Sequence, residues 1–335
     1  MESLEGRTIL ITGGTGSFGQ HFVRTALARW EPRAIRVFSR DELKQAQMAQ
    51  HLHDDRVRYL LGDVRNVDRV RRAMGGADVV VHAAALKQVP ACEYNPFEAI
   101  QTNILGAQNV AEACLDTQVE RAIALSSDKA VNPVNLYGAT KLCAEKLFIQ
   151  ANVYSGKQST RFSCVRYGNV IGSRGSVVPL FQSQASNGEL TVTDPRMTRF
   201  WISLDQAVQF VADCLGRMRG GEVFVPKIPS MRVVDLAAAV GPGLPIRITG
   251  IRPGEKLHEA LLTPEEARRT LDAGDAYVVL PEHPFWEGAV FPGSALVAED
   301  FVYTSQRNTW WLGVDDLRGM VDTAPETVAA VARAV

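Results

Sequence analysis

Cysteine is scarce and unpatterned in this chain. Cys92, Cys114, Cys143, Cys164 and Cys214 are odd in number and scattered, which excludes a disulfide-stapled framework and a zinc-type ligand spacing. They read as reduced, mostly packed thiols. Histidine offers no metal site either: His51 and His53 alternate in a polar stretch, His82 ends an apolar run, and none joins carboxylates or thiols in a cluster. No metal is expected. Neither sign of charge prevails, with 36 basic and 37 acidic residues and a net charge of −1, so nothing draws the chain to nucleic acid or to an anionic membrane. No apolar run approaches the length of a membrane span, and the acidic start Met1-Glu2-Ser3-Leu4-Glu5 does not read as a signal peptide. The cytoplasm is the expected location. Internal repeats and low-complexity linkers are lacking too.

What the chain does have is the composition of a globular protein, 46% hydrophobic and 22% charged over 335 residues. That suits one large or two closely joined domains. Its first half alternates strand and helix patterns. Apolar runs at Thr8–Thr12, Ile35–Phe38, Val57–Leu61, Val79–Ala83, Ala122–Ser126 and Phe162–Val170 read as strands. This predicts an α/β fold: a Rossmann-type doubly wound parallel sheet with helices on both faces. From Gly172 the alternation fails in a loop-like Gly172-Ser173-Arg174-Gly175-Ser176. A helical pattern then returns at Leu204–Leu215 and a strand pattern at Glu222–Val225. The expected division is therefore interleaved. Residues 1–173 with about 200–226 would form the cofactor domain, and about 174–199 with 227–335 a smaller C-terminal substrate-binding lobe.

The first strand runs into Gly13-Gly14-Thr15-Gly16-Ser17-Phe18-Gly19, and Phe18, Phe22, Val23, Ala26 and Leu27 follow with helical spacing. Glycines there let the backbone turn tightly and approach a pyrophosphate, which helix-terminal amides stabilise. The spacing Gly13-x-x-Gly16-x-x-Gly19 is looser than the usual dinucleotide fingerprint. Beyond the second strand stand Ser39, Arg40 and Asp41, with Lys44 one turn on. A hydroxyl and two cations suit a 2′-phosphate and favour NADP, while Asp41 keeps NAD open. Asp63, past the third strand, can accept from an adenine amino group or simply shape the turn after Gly62. Ala83, Ala84 and Ala85 suit close passage of a cofactor or ordinary tight packing. Asn103 reads as a structural hydrogen-bonder.

Ser127-Asp128-Lys129, followed by Tyr137 and Lys141, carries the chemistry. Tyr137 and Lys141 are four apart and share a helix face, where an ammonium can favour tyrosinate and make the phenol a usable base. A serine upstream completes an alcohol-oxidation set. Asp128 and Lys129 exceed that need and point to a second step, in which a proton leaves carbon and water is expelled. Alone, Tyr-x-x-x-Lys is common and Asp128-Lys129 could be a solvated turn. Together, after an apolar strand and downstream of the glycine loop, they make a site. Arg252-Pro253-Gly254-Glu255-Lys256 reads as a charged turn that either clamps a diphosphate or stays salt-bridged at the surface.

These blocks resemble an extended short-chain dehydrogenase/reductase, and specifically the inverting UDP-N-acetylglucosamine 4,6-dehydratases. The resemblance spans almost the whole chain. Besides the glycine loop it rests on Phe38 to Lys44, Ala85 to Pro90, Glu93 to Pro96, Ser127 to Ala130, Asn135 to Lys141, Arg166 to Val170, Met197 to Trp201 and Arg252 to Glu259. It implies UDP-N-acetylglucosamine as substrate, with Lys87, Asn169, Arg199, Arg252 and Glu255 lining its site. It also places Thr15, Ser17, Phe18, Ser39, Arg40, Lys44, Asp63 and Val64 at the cofactor. In the implied mechanism Tyr137, supported by Lys141 and Ser127, takes the C4 hydroxyl proton while hydride moves to NADP. Lys129, with its pKa lowered by burial and nearby cations, takes the C5 proton, and protonated Asp128 assists the C6 hydroxyl. Retaining dehydratases carry glutamate where Lys129 stands, so C5 is expected to invert. The family also implies a homo-oligomer, a dimer or hexamer. Two departures are noted: Ser127 replaces a common threonine, and the stretch near Val240-Gly241-Pro242-Gly243 is short. A C4 epimerase, a retaining dehydratase and a non-catalytic NADP-binding protein are the rival readings.

Overall fold

The computed structural model describes residues 4–156, 160–173, 175–282 and 291–323. Met1, Glu2, Ser3 and Arg174, which figured in the sequence readings, lie outside them. Six parallel strands form the centre: β1 (Thr8–Thr12), β2 (Ala34–Ser39), β3 (Val57–Leu61), β4 (Val79–His82), β5 (Arg121–Leu125) and β6 (Arg161–Val165). They lie in the order β3-β2-β1-β4-β5-β6, and Val223–Pro226 continues in parallel beside β6. Helices cover both faces, which is why β1 and β4 are buried at every residue and read as unbroken apolar runs. The strand order reverses at β1, so a crevice opens beyond the C-terminal ends of β1 and β4.

The boundary between lobes differs in one respect from the expected one. Ala276–Val279, Thr270–Asp272 and Ala295–Leu296, all from the stretch assigned to the smaller lobe, extend the main sheet as antiparallel strands. The expected long strand Phe162–Val170 is also split. It leaves the main sheet at Val165, and Asn169–Val170 joins a second sheet with Thr198–Ile202 and Ser230–Arg232. A Cβ on Gly168 between them would collide with Phe200, so this crossing needs glycine. Strand Thr198–Ile202 sits between two cores. Phe200 and Ile202 pack into the main one, while Trp201, facing the other way, packs with Phe181, Met231 and Leu236. No helix among the described residues is long and apolar enough to cross a membrane.

Candidate active site

A cavity of about 600 Å³ runs along the C-terminal ends of the strands and contains both expected halves of the site. At one end the glycine loop leads into helix α1 (Ser17–Arg29). Gly13 has φ +66°, and a Cβ on it would lie 2.9 Å from the Ala84 backbone. The small residues after β4 therefore match a glycine-only approach as well as a cleft wall. A Cβ on Gly19 would lie 2.5 Å from Gly14 Cα, so this glycine lets the helix pack close on the strand turn. The helix N-cap is Gly16, and its first turn holds no acid, which leaves it receptive to an anion.

Thr15, Gly16, Ser17, Phe18, Ser39, Arg40, Lys44, Asp63, Val64, Ala83 and Ala84 all line the cavity. Thr15 and Ser39 are joined hydroxyl to hydroxyl at 2.8 Å. Asp41 caps the helix α2 (Glu42–His51), accepting from the Lys44 amide at 3.0 Å and pairing with its Nζ at 2.5 Å. Asp63 pairs with Arg65 at 2.7 Å and lies 3.9 Å from Arg40. A Cβ at Gly13 would fill the cradle, the hydroxyls and cations cluster at one end, and the volume suits an extended ligand. These residues fit a dinucleotide. Asn103, as expected of it, is structural. Its amide grips the Leu86 backbone at 2.8 and 2.9 Å and the Thr140 hydroxyl at 2.9 Å, tying the wall after β4 to the helix Leu136–Tyr154.

The other end holds Ser127, Asp128, Lys129, Tyr137 and Lys141 together. Asp128–Ala130 form a single 3-10 turn after β5, and Asn135 caps the following helix by accepting from the Gly138 amide at 2.7 Å. A Cβ on Gly138 would collide with the Lys129 carbonyl oxygen. That contact sets Tyr137 against the turn. Asp128 is fully buried. Its Oδ1 accepts from Ser127 Oγ at 2.7 Å and Lys129 Nζ at 3.1 Å, while Oδ2 has no partner. Burial raises its carboxyl above the ordinary range; the Lys129 ammonium opposes this, and Glu259 adds to it. The unpartnered Oδ2 is the oxygen free to take a proton.

Two expectations need correction. Burial disfavours the Lys129 ammonium, as expected, but the negative charge carried between Asp128 and Glu259 outweighs it and holds Lys129 well above the ordinary lysine range. Glu259 Oε1 is 3.4 Å from Lys129 Nζ. The second concerns Lys141, which donates to the Leu125 carbonyl at 2.6 Å and is lowered by burial. Burial pushes the Tyr137 phenol up to about 12, and the leading cation acting the other way is Lys129, assisted by the Ser127 hydroxyl.

Residues 9–281 match the family described as polysaccharide biosynthesis protein. The inverting UDP-N-acetylglucosamine 4,6-dehydratase of Campylobacter jejuni is 48% identical over 95% of this chain and 98% of its own length. The chain belongs to that polysaccharide biosynthesis protein family. A UDP-glucose 4-epimerase of Rickettsia canadensis is 45% identical over 81% of this chain and 82% of its own. Among solved structures, Pen from Bacillus thuringiensis matches with a TM-score of 0.89 at 38% identity, over 95% of this chain and 98% of that one.

In this family member the five substrate candidates separate. Lys87 and Asn169 line the cavity, and the Asn169 Oδ1 is buried without a partner. Burial, then the charge of Lys129, lowers Lys87. Arg199, Arg252 and Glu255 are not among the lining residues. Arg199 is buried and donates to the carbonyls of Thr198, Lys256 and Leu257 at 2.8–3.1 Å. It therefore braces the charged turn from below. That turn docks on the catalytic segment: Asn135 donates to the Gly254 carbonyl at 2.8 Å, and Lys256 to that of Val131 at 2.6 Å. Sequence reasoning gave no role to Glu259 or Gly138. A buried acid at the end of a charged block was the available signal for Glu259. Among the described residues no group of three His, Cys, Asp or Glu side chains is placed to hold a metal ion.

Proposed function

We propose that this protein binds NADP and removes water from UDP-N-acetylglucosamine. The product would be UDP-2-acetamido-2,6-dideoxy-β-L-arabino-hexos-4-ulose. The observation that carries this is the pairing of buried Asp128 with half-buried Lys129 in the same cavity as Tyr137. Oxidation at C4 needs Tyr137 alone among these, whereas loss of the C6 hydroxyl needs an acid and a base as well. The name of the Campylobacter relative supports the same substrate and the inversion.

A bound nicotinamide would accept hydride from C4 and return it to C6, so no outside reductant enters the balance. Tyr137 takes the C4 hydroxyl proton, with the substrate oxygen held by Ser127. The C4 ketone acidifies the C5 proton, which Lys129 removes in its neutral form. Because the negative charge carried between Asp128 and Glu259 holds Lys129 protonated, that form is scarce in the free enzyme and C5 exchange should rise with pH. Asp128 delivers its proton to the departing C6 hydroxyl. Hydride return to C6 then leaves an enolate, which takes a proton at C5 on the face opposite Lys129 and so inverts that carbon. For NADP over NAD, Asp41 is already engaged as helix cap and ion pair, whereas Arg40 is exposed at the cleft.

The Rickettsia relative favours a second reading, C4 epimerisation by the same fold. Incubation with UDP-N-acetylglucosamine in heavy water, followed by mass and NMR analysis, separates the two. The dehydratase yields a 4-keto-6-deoxy sugar nucleotide one water lighter, without added reductant. An isomer of unchanged mass would establish the epimerase. A D-xylo product formed first would retain the dehydratase and remove the inversion.

A further inference from the structure

Lys129 is held between two buried carboxylates from distant parts of the chain. Asp128 precedes it in the turn after β5. Glu259, 3% exposed, stands just before strand Ala260–Leu262. Its backbone is clamped by Ser305, through Glu259 N to Ser305 Oγ at 3.0 Å and Ser305 N to Glu259 O at 2.8 Å. Ser305 Oγ is joined in turn to Thr198 Oγ1 at 2.7 Å. The carboxylate is thus fixed by the frame of the second lobe. Charged groups reach it from every side: Lys129 at 3.4 Å, Lys256 at 3.5 Å and Arg199 at 3.9 Å. Asp128 and Tyr137 share the field of Lys129, whose charge is also felt at Lys87. His258 turns away to Thr198, at 2.8 Å.

Asp128 faces a physical conflict. An ammonium 3.1 Å from a carboxyl favours the carboxylate, yet an acid that protonates a leaving hydroxyl must keep its proton. We propose that Glu259 is a positioning residue that resolves this conflict, serving as counter-charge to Lys129 so that Asp128 stays protonated for water expulsion. The inference rests on the dehydratase reading given above. The two carboxylates divide the work. Glu259 balances the ammonium, and Asp128 holds the transferable proton on its unpartnered Oδ2. Without Glu259, Asp128 becomes the close anionic partner of Lys129 and gives up its proton, while Lys129 keeps one carboxylate beside it and still removes the C5 proton. Elimination should then fall while C5 exchange persists.

The test is Glu259→Gln in the cofactor-loaded enzyme, with Glu259→Asp as the charge-preserving control. In Glu259→Gln the alkaline fall in dehydration should begin about 1 pH unit or more lower. Deuterium at C5 of recovered substrate should rise relative to product. Glu259→Asp should restore both. Difference infrared spectroscopy reads the same proton without turnover. The carbonyl band of a protonated carboxyl, assigned by its loss in Asp128→Asn, should be present in the parent and in Glu259→Asp and missing in Glu259→Gln. A uniform loss of rate with an unmoved pH profile, or a band that survives in Glu259→Gln, overturns the inference. If the parent never releases water, the dehydratase reading falls with it, and the mass measurement shows that separately.

Discussion

In the proposed reaction Tyr137 and Lys129 serve different stages, and their substitutions should separate those stages. Tyr137→Phe removes the oxidation base, so turnover should vanish while cofactor still binds, as measured by cofactor titration. Lys129→Ala should spare C4 oxidation, seen as transient reduced cofactor, and suppress C5 deuterium exchange. Dehydration at the normal rate in Lys129→Ala would remove it as the base. At the other end of the cavity, charge-assisted contacts to a phosphate are worth on the order of 1.5–3 kcal/mol. Arg40→Ala should therefore weaken NADP by roughly tenfold or more with little effect on NAD. Equal losses for the two cofactors would make Arg40 positional and return the ribose to Asp41.

At the level of elements, the geometry depends on how closely the helix Leu136–Tyr154 approaches the turn that carries Asp128 and Lys129. The helix begins where it does because Asn135 caps it and Glu93 accepts from the Leu136 amide at 2.7 Å. Gly138 then allows contact that a methyl group would block. Gly138→Ala removes only backbone freedom and would ordinarily favour a helix. Here it should cost about 1–3 kcal/mol through overpacking, measurable by urea denaturation. It should also lower turnover by pushing Tyr137 away from Ser127. An unchanged or raised stability would show that the turn yields without consequence.

Across the whole molecule, Arg166 joins segments far apart in the chain. Its side chain is 2% exposed and grips Glu145 of the helix Leu136–Tyr154 at 2.5 and 2.9 Å, and Glu266 at 2.7 and 2.9 Å. Arg166→Met would leave two carboxylates uncompensated, at about 3–5 kcal/mol of stability near pH 7. The sign of the pH dependence follows from Glu145. Burial alone would raise its carboxyl, but Arg166 outweighs burial and holds it below the ordinary range. The stabilisation is therefore present above the ordinary carboxylate range and is lost as pH falls through it. In Arg166→Met, Glu145 is buried without a partner, so the deficit against the parent should shrink as the solution is acidified into that range. Denaturation at neutral pH and near pH ~4.5 checks this. A deficit that is constant with pH would mean the loss is packing alone.

Much of this was legible before any fold was known, because it is local. Strand patterning located β1 and β3 to the residue, although only β1 is covered on both faces; β3 is an edge strand with Arg58 exposed. The glycine spacing marked the loop into the first helix, because Gly13 has a positive φ and a Cβ on Gly13, Gly14 or Gly19 would come within 2.9 Å of a neighbour. Helical geometry placed Tyr137 and Lys141 on one face, but not that Lys141 would bond the Leu125 carbonyl and leave Lys129 as the cation nearest in effect to the phenol. What the sequence could not decide was which charges meet. It led us to expect a lysine lowered by burial and by cations. The tertiary structure instead brought Glu259, from far along the chain, to 3.4 Å from Lys129 and reversed that shift. The reason is physical: side-chain conformation answers to near neighbours in sequence, whereas a charge answers to distance in space, and only the folded chain sets that distance.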